Sequence, residues 1–208
     1  GACIFGGLWT IGVLLEILAL DYSSKVFWMK FQAGWHLPTV TATTCFVLQY
    51  AGLGRFLNPR IYLFLSIVPV LVAVIMATND FHHLMWTGFP VNGHVSVSAG
   101  KLYWLIMGYG YLFSIFNVAV LVWFAVSAPG HRLPVAIILV SQVVTHIGFG
   151  VDKIYPYLIG PGESVLLVVG VMTVAYAIAF LRFHAIDPVA SAREAILDQM
   201  SEGVYVLD

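Results

Sequence analysis

The sequence predicts an all-α fold, a polytopic membrane helix bundle of six spanning helices followed by a short cytoplasmic helix, and three observations carry that prediction. Of the 208 residues 61% are hydrophobic and only 9% are charged, against about 25% charged in soluble proteins. Mean hydropathy is +0.94. Six stretches approach the roughly 20 apolar residues that a spanning helix needs: Ala2 to Leu20, Val26 to Leu53, Ile61 to Thr78, Leu102 to Ala128, Leu133 to Val151 and Ser164 to Phe183.

The breaks between these stretches are chemically sensible. Asn58-Pro59, Pro129-Gly130 and Pro161-Gly162 fall between runs, where proline and glycine interrupt a helix at little cost. The longest gap, Asn79 to Gly100, is the only one large enough to hold structure of its own. The net charge of -1 offers no basic surface for nucleic acid. Cys3 and Cys45 sit in apolar runs without metal-ligand spacing and read as packing residues. The chain opens inside a hydrophobic run with neither a methionine nor a basic leader, which reads as a piece of a longer protein.

After Arg182 the composition turns polar. Pro188 suits the first turn of a helix, and Val189, Ala192, Ile196 and Met200 recur at three-to-four spacing as one apolar stripe. Ser201-Glu202-Gly203 reads as a turn, and "VYVLD" as an entering strand. The expected organisation is a bundle over 1–183, a juxtamembrane helix over 184–200 and the start of a cytoplasmic domain over 201–208. With that tail inside the cell, five Lys and Arg residues lie inside and Lys25, Lys30, Lys101 and Lys153 outside. The positive-inside rule agrees weakly. Asn79 to Gly100 then faces the exterior.

Ionisable groups within spanning helices cost at least about 2.5 kcal/mol on insertion scales, so each needs a partner, water or a function. At 1.5 Å per residue, Glu16 lies about 7 Å inward of the outer face and His146 about 9 Å. His36 is near the middle of the second stretch. Gln142 and His146, four apart, project from one helix face; they suit either interhelical glue or a signal site. Ser114 and Asn117 suit packing. Together Glu16, His146, His82 and His83 suggest a polar pocket open to the outside.

The stretch "TNDFHHLMW" admits three readings. Asn79 or Asp80 can cap a short interfacial helix carrying Phe81 to Trp86, with Phe81, Leu84, Met85 and Trp86 dipping into the interface. The histidines beside Asp80 can report pH or an anionic ligand. As metal ligands, adjacent histidines diverge on a helix, so His82 and His83 would need His146 or Glu16 from another segment.

Several patterns resemble one family, the N-terminal seven-helix membrane sensor region of prokaryotic sensor histidine kinases and related signalling proteins. "TNDFHHLMW" is similar to its Thr-Asn and His-His pair, "KVFWMKFQAGWHLPT" and "LYWLIMGYGYLF" to two of its helices, and "DPVASAREAILDQMSEGVYVLD" to its junction with a PAS-type domain. The family has seven spans and the hydrophobic runs here predict six, so the first is expected to be the one not seen. Where the sixth family helix often has proline and asparagine, this chain has "SQVVTHIG".

The resemblance implies a multi-pass protein of the prokaryotic plasma membrane with a cytoplasmic C-terminus. It implies a non-catalytic receptor module of a two-component system, with output by PAS and kinase domains, a downstream response regulator, and a homodimer surrounded by membrane lipids. Candidate sensing residues are Glu16, His36, Asn79, Asp80, His82, His83, Trp86, Gln142 and His146. Arg182, Asp187, Pro188, Ile196 and Met200 would relay the signal. No cofactor is predicted, although a small-molecule ligand fits the reading. The rival is a haem- or metal-binding oxidoreductase subunit using the bundle histidines, with His82, His83 and His146 as the weak metal set. A retinal protein would need a lysine in the last helix, and Ser164 to Phe183 has none. A transporter would be expected to show repeated halves, and no convincing repeat is present.

Overall fold

The computed structural model of the chain describes residues 1–91, 95–128, 131–154 and 170–178. Its long helices are α1 (Ala2–Leu18), α2 (Tyr22–Tyr50), α3 (Pro59–Ala77), α5 (Tyr103–Ser127) and α6 (Arg132–Ile154), with a one-turn helix α4 (Asn79–His82) between α3 and α5. Residues 170–178 are also helical. The relay candidates Arg182, Asp187, Pro188, Ile196 and Met200 lie outside the described residues.

Two helix starts fall earlier than hydrophobicity alone suggests, because side chains cap them. Asp21 accepts a 2.7 Å bond from the Ser24 amide, so α2 begins at Tyr22 instead of Val26. Asn58 accepts a 3.0 Å bond from the Ile61 amide, and Pro59 occupies the first turn of α3, where its missing N–H costs nothing.

α2 is the hub and packs against α1, α3 and α5, while α5 packs against α6. Two apolar clusters result. One gathers Val47, Tyr50, Val120, Leu121, Val135, Ile138 and Tyr176 from α2, α5, α6 and the 170–178 helix. The other gathers Leu37, Val72, Met76, Met85, Trp86 and Ile106 from α2, α3, α5 and the loop after α4. Among the described residues, Pro59–Ala77 and Tyr103–Ser127 are long and apolar enough to cross a membrane. Their outward residues, such as Leu63, Phe64 and Leu71 on α3 and Trp104, Leu112 and Ile115 on α5, are exposed apolar side chains. A belt of this kind suits lipid.

The gap between α3 and α5 does hold structure. After α4, β1 (Trp86–Gly88) pairs antiparallel with β2 (Ser98–Ala99), Trp86 opposite Ala99, and Val91 bridges to Val95. The resulting hairpin turns back to the start of α5, where the Leu102 amide donates to the Leu84 carbonyl at 2.9 Å.

Candidate functional site

Asn79 organises the hairpin. The expectation that Asn79 or Asp80 caps a helix running to Trp86 is not met: α4 ends at His82, its N-cap is Thr78, and no side chain caps it. Asn79 is instead buried, and its Oδ1 accepts from the amides of Met85 at 2.9 Å and Trp86 at 3.0 Å. Its Nδ2 donates to the Trp86 carbonyl at 2.9 Å. One amide side chain thus satisfies three backbone groups that the turn leaves without helix or sheet partners. His83 makes the turn with φ 51°, in the left-handed region. Gly100 faces the Leu84 carbonyl so closely that a Cβ there would collide with it.

His82 is engaged in this local geometry. Nδ1 of His82 accepts from the Leu84 amide at 3.0 Å, and its Nε2 lies 3.1 Å from the Thr78 hydroxyl. In the neutral ring Nε2 therefore carries the proton and donates to Thr78. His83 is exposed. Asp80 accepts a 2.6 Å bond from Lys30 of α2, and that ammonium holds its carboxyl below the usual carboxylate range. Tyr22 donates to the Phe89 carbonyl at 3.0 Å, a second tie between α2 and the hairpin. Met85 and Trp86 face inward, so of the four residues expected at the membrane interface these two are buried in protein, whereas Phe81 is 90% exposed.

Beneath the hairpin lies a cavity of about 280 Å³. Met85, Trp86, Phe89 and Val97 form its roof. Its walls include Gln32 and His36 from α2, Tyr111 and Asn117 from α5, and Gln142 and His146 from α6. On α2 the lining residues Met29, Gln32, His36, Thr39 and Thr43 follow one helix face at three-to-four spacing. Gly110 brings α5 close, since a Cβ there would stand 3.1 Å from His36 Cε1. The His36 ring meets Trp9 of α1 edge-on at 5.0 Å between centroids.

Three buried atoms of this wall, His36 Nδ1, Asn117 Oδ1 and Gln142 Oε1, have no hydrogen-bond partner among the described residues. Asn117 and Gln142 are 1% and 3% exposed. An unmet buried polar atom costs about 1–3 kcal/mol, and cavities with such walls are completed by water or ligand. Their neighbours are engaged. Gln142 Nε2 donates to the Tyr176 hydroxyl at 2.5 Å, and His146 Nδ1 lies 2.6 Å from the Gln142 carbonyl. A carbonyl only accepts, so Nδ1 of His146 carries the proton and Nε2 of the neutral ring is an acceptor.

Of the residues singled out from sequence, His36, Trp86, Gln142 and His146 thus share one cavity. Glu16 is one step removed, because its carboxylate accepts from Nε2 of Gln32. Asn79, Asp80, His82 and His83 belong to the roof's scaffold and do not line the cavity. Among the described residues no three His, Cys, Asp or Glu side chains gather to hold a metal, so His82, His83 and His146 do not form the weak metal set. Gln32 and Tyr111 do not stand out in the sequence and Asn117 reads there as packing; for Gln32 the α2 stripe of polar residues is the available signal.

A family model described as the N-terminal 7TM region of histidine kinase matches residues 1–189. The chain belongs to this family. No curated protein and no solved structure matches it. It is accordingly a transmembrane sensor region of the kind found at the N-terminus of histidine kinases, a non-catalytic domain. The cavity is lined by five helices, α1, α2, α5, α6 and the one over 170–178, and by the hairpin.

Proposed function

We propose that this chain is the receptor module of a two-component histidine kinase, in which a small molecule entering from the outer face occupies the cavity under the hairpin. The single observation that carries the reading is one cavity lined by His36 of α2, Asn117 of α5 and Gln142 of α6, each with a buried polar atom that has no partner among the described residues. A ligand packed against three helices favours one relative placement of those helices, and shifts of an ångström or two are an established switching mode. The signal would leave through the stretch from Arg182 to Met200 to a cytoplasmic PAS or kinase domain in a homodimer, and then to a response regulator. Six spans in the prokaryotic inner membrane with a cytoplasmic C-terminus complete the proposal.

Grafting Gly1 to Met200 onto a reporter kinase tests it. Replacing His36, Gln142 or His146 by leucine is expected to change output at least about fivefold, the lower end of ordinary allosteric coupling. Alanine at His82 or His83 should change it far less. Equal effects from both groups would contradict the cavity as the sensing site.

A further inference from the structure

We infer that α2 is hinged at Pro38, so that the half of the helix tied to the hairpin tilts against the half packed into the far end of the bundle. The inference rests on reading the cavity as the sensor's site and adds the element that a stimulus there moves.

Pro38 lies inside α2, has no N–H to donate to the Gly34 carbonyl, and crowds that carbonyl with its ring, so the helix carries a weakened turn near its middle. The next residue adds to this. The Thr39 hydroxyl donates to the Trp35 carbonyl at 2.7 Å, a back-bond of the kind that bends helices. α3 has an interior proline of its own, Pro69. The ties from Lys30 to Asp80 and from Gln49 to Tyr62 run α2 and α3 in opposite directions, which puts Pro38 and Pro69 within about one turn of each other in depth. Both prolines and Gly34 line an open groove of about 1240 Å³ beside α2 and α3, and a Cβ on Gly34 would meet nothing within 4 Å. The hinge has room to move.

The two halves of α2 are held by different neighbours. On the hairpin side Gln32 donates to Glu16 of α1, Lys30 pairs with Asp80, Tyr22 donates to the Phe89 carbonyl, and Leu37 packs with Met85 and Trp86. On the far side Val47 and Tyr50 join Leu121 and Ile138 in the other apolar cluster. Buried polar residues separate the two clusters along the chain: Thr39, Thr43 and Thr44 stand between Leu37 and Val47 on α2, and Asn117 between Ile106 and Leu121 on α5. Thr39 and Thr44 donate to carbonyls of α2 itself, so a change of tilt here breaks no hydrogen bond of theirs to another helix. A bend at this depth costs less apolar packing than one through either cluster. The cavity straddles the hinge. His36 lines it from one side of Pro38, and Thr39 and Thr43 line it from the other, so an occupant that packs against both fixes the angle between them.

The test uses the full chain in lipid nanodiscs, with Cys3 and Cys45 replaced by alanine and nitroxide labels read by pulsed electron resonance. Ser23→Cys with Val140→Cys, both at exposed positions, reports the distance across the hinge. Arg55→Cys with Val140→Cys reports a pair on one side of it. The arm from Ser23 to Pro38 is about 22 Å long at 1.5 Å per residue, so a tilt of about 10° carries its tip about 4 Å. The first distribution is therefore expected to be broader than the second by about that amount. Pro38→Ala restores the donor to the Gly34 carbonyl and should narrow the first distribution about twofold, leaving the second unchanged. Gly34→Leu, which fills the groove beside the hinge, should narrow it in the same sense and serves as a second variant. A first distribution no broader than the second, or one that both substitutions leave unchanged, overturns the hinge. Reporter-kinase output separates the two claims. Pro38→Ala is expected to hold output at one extreme, at least about fivefold from the native level, and narrowing without any change of output overturns the hinge as the moving element. Cavity variants that change output while the distribution ignores Pro38→Ala overturn the hinge alone. Narrowing by Pro38→Ala in a protein whose output ignores cavity variants overturns the sensor reading alone.

Discussion

The two histidine-bearing regions of this chain show opposite chemistry. In the turn after α3, His82 has both ring nitrogens engaged within eight residues of sequence, and Asn79 closes three backbone bonds. In the cavity, His36 on α2 and His146 on α6 come from distant parts of the chain, and polar atoms of His36, Asn117 and Gln142 have no partner among the described residues. The conspicuous motif holds the hairpin in shape, and the inconspicuous residues line the cavity proposed as the site. Local clustering of polar residues marks a structure being held in shape, whereas unmet polarity gathered across helices marks a place for something else to bind.

Breaking the scaffold should have the largest effect. Asn79→Ala strands the amides of Met85 and Trp86 and the Trp86 carbonyl in a buried setting, and at about 1–3 kcal/mol per unmet group the roof should open. Amide exchange at Met85 and Trp86 is expected to accelerate by two orders of magnitude or more on the order of that cost. Exchange no faster than in the native protein would mean that other contacts hold the hairpin.

The cavity should respond in the opposite sense. Asn117→Leu replaces an unmet buried oxygen by an apolar group of similar volume, a change that is neutral or stabilising by up to about 1 kcal/mol in the unliganded protein, while output is lost. A site kept for function at a cost in stability behaves this way. If Asn117 were interhelical glue, the same substitution would lower the melting temperature.

The smallest effect is electrostatic and concerns the roof's tie to α2. Because Lys30 lowers the folded-state pKa of Asp80, the ion pair's contribution is present above the ordinary carboxylate pKa and fades as pH falls through the lower folded value. The pair is exposed, with Asp80 at 70%, so its worth is below about 1 kcal/mol. Hairpin protection in wild type should decline slightly as pH drops below about 4, and Lys30→Gln should remove that dependence. An unchanged pH profile in the variant would place its origin elsewhere.

Much of the fold was legible because apolar run length is a strong signal: the expected stretches overlap α1, α2, α3, α5 and α6. The caps at Asp21 and Asn58 shifted boundaries that hydrophobicity alone set too late. The hairpin was not legible, since β1 and β2 are three and two residues long and depend on Asn79 and Gly100 for their geometry. For the site, His36, Gln142 and His146 stood out as rare polar groups in spanning stretches. Asn117 read as packing because its significance lies in the missing partner, which only the approach of α2, α5 and α6 reveals. Glu16 reads as a pocket residue in the sequence, and in the structure it meets the cavity wall only through its hydrogen bond from Gln32.

The most direct measurement fills the cavity from within. In a reporter-kinase fusion with Cys3 and Cys45 replaced by alanine, Ser114→Cys places a single thiol on the cavity wall, and a methanethiosulfonate with a small aromatic group then attaches there as a tethered occupant. Output should move to one extreme and stay there, at least about fivefold from the unlabelled level, with the same label on Val140→Cys at the exposed face of α6 leaving it unchanged. Complete labelling at position 114 with unaltered output would contradict the claim that the stimulus acts through this cavity.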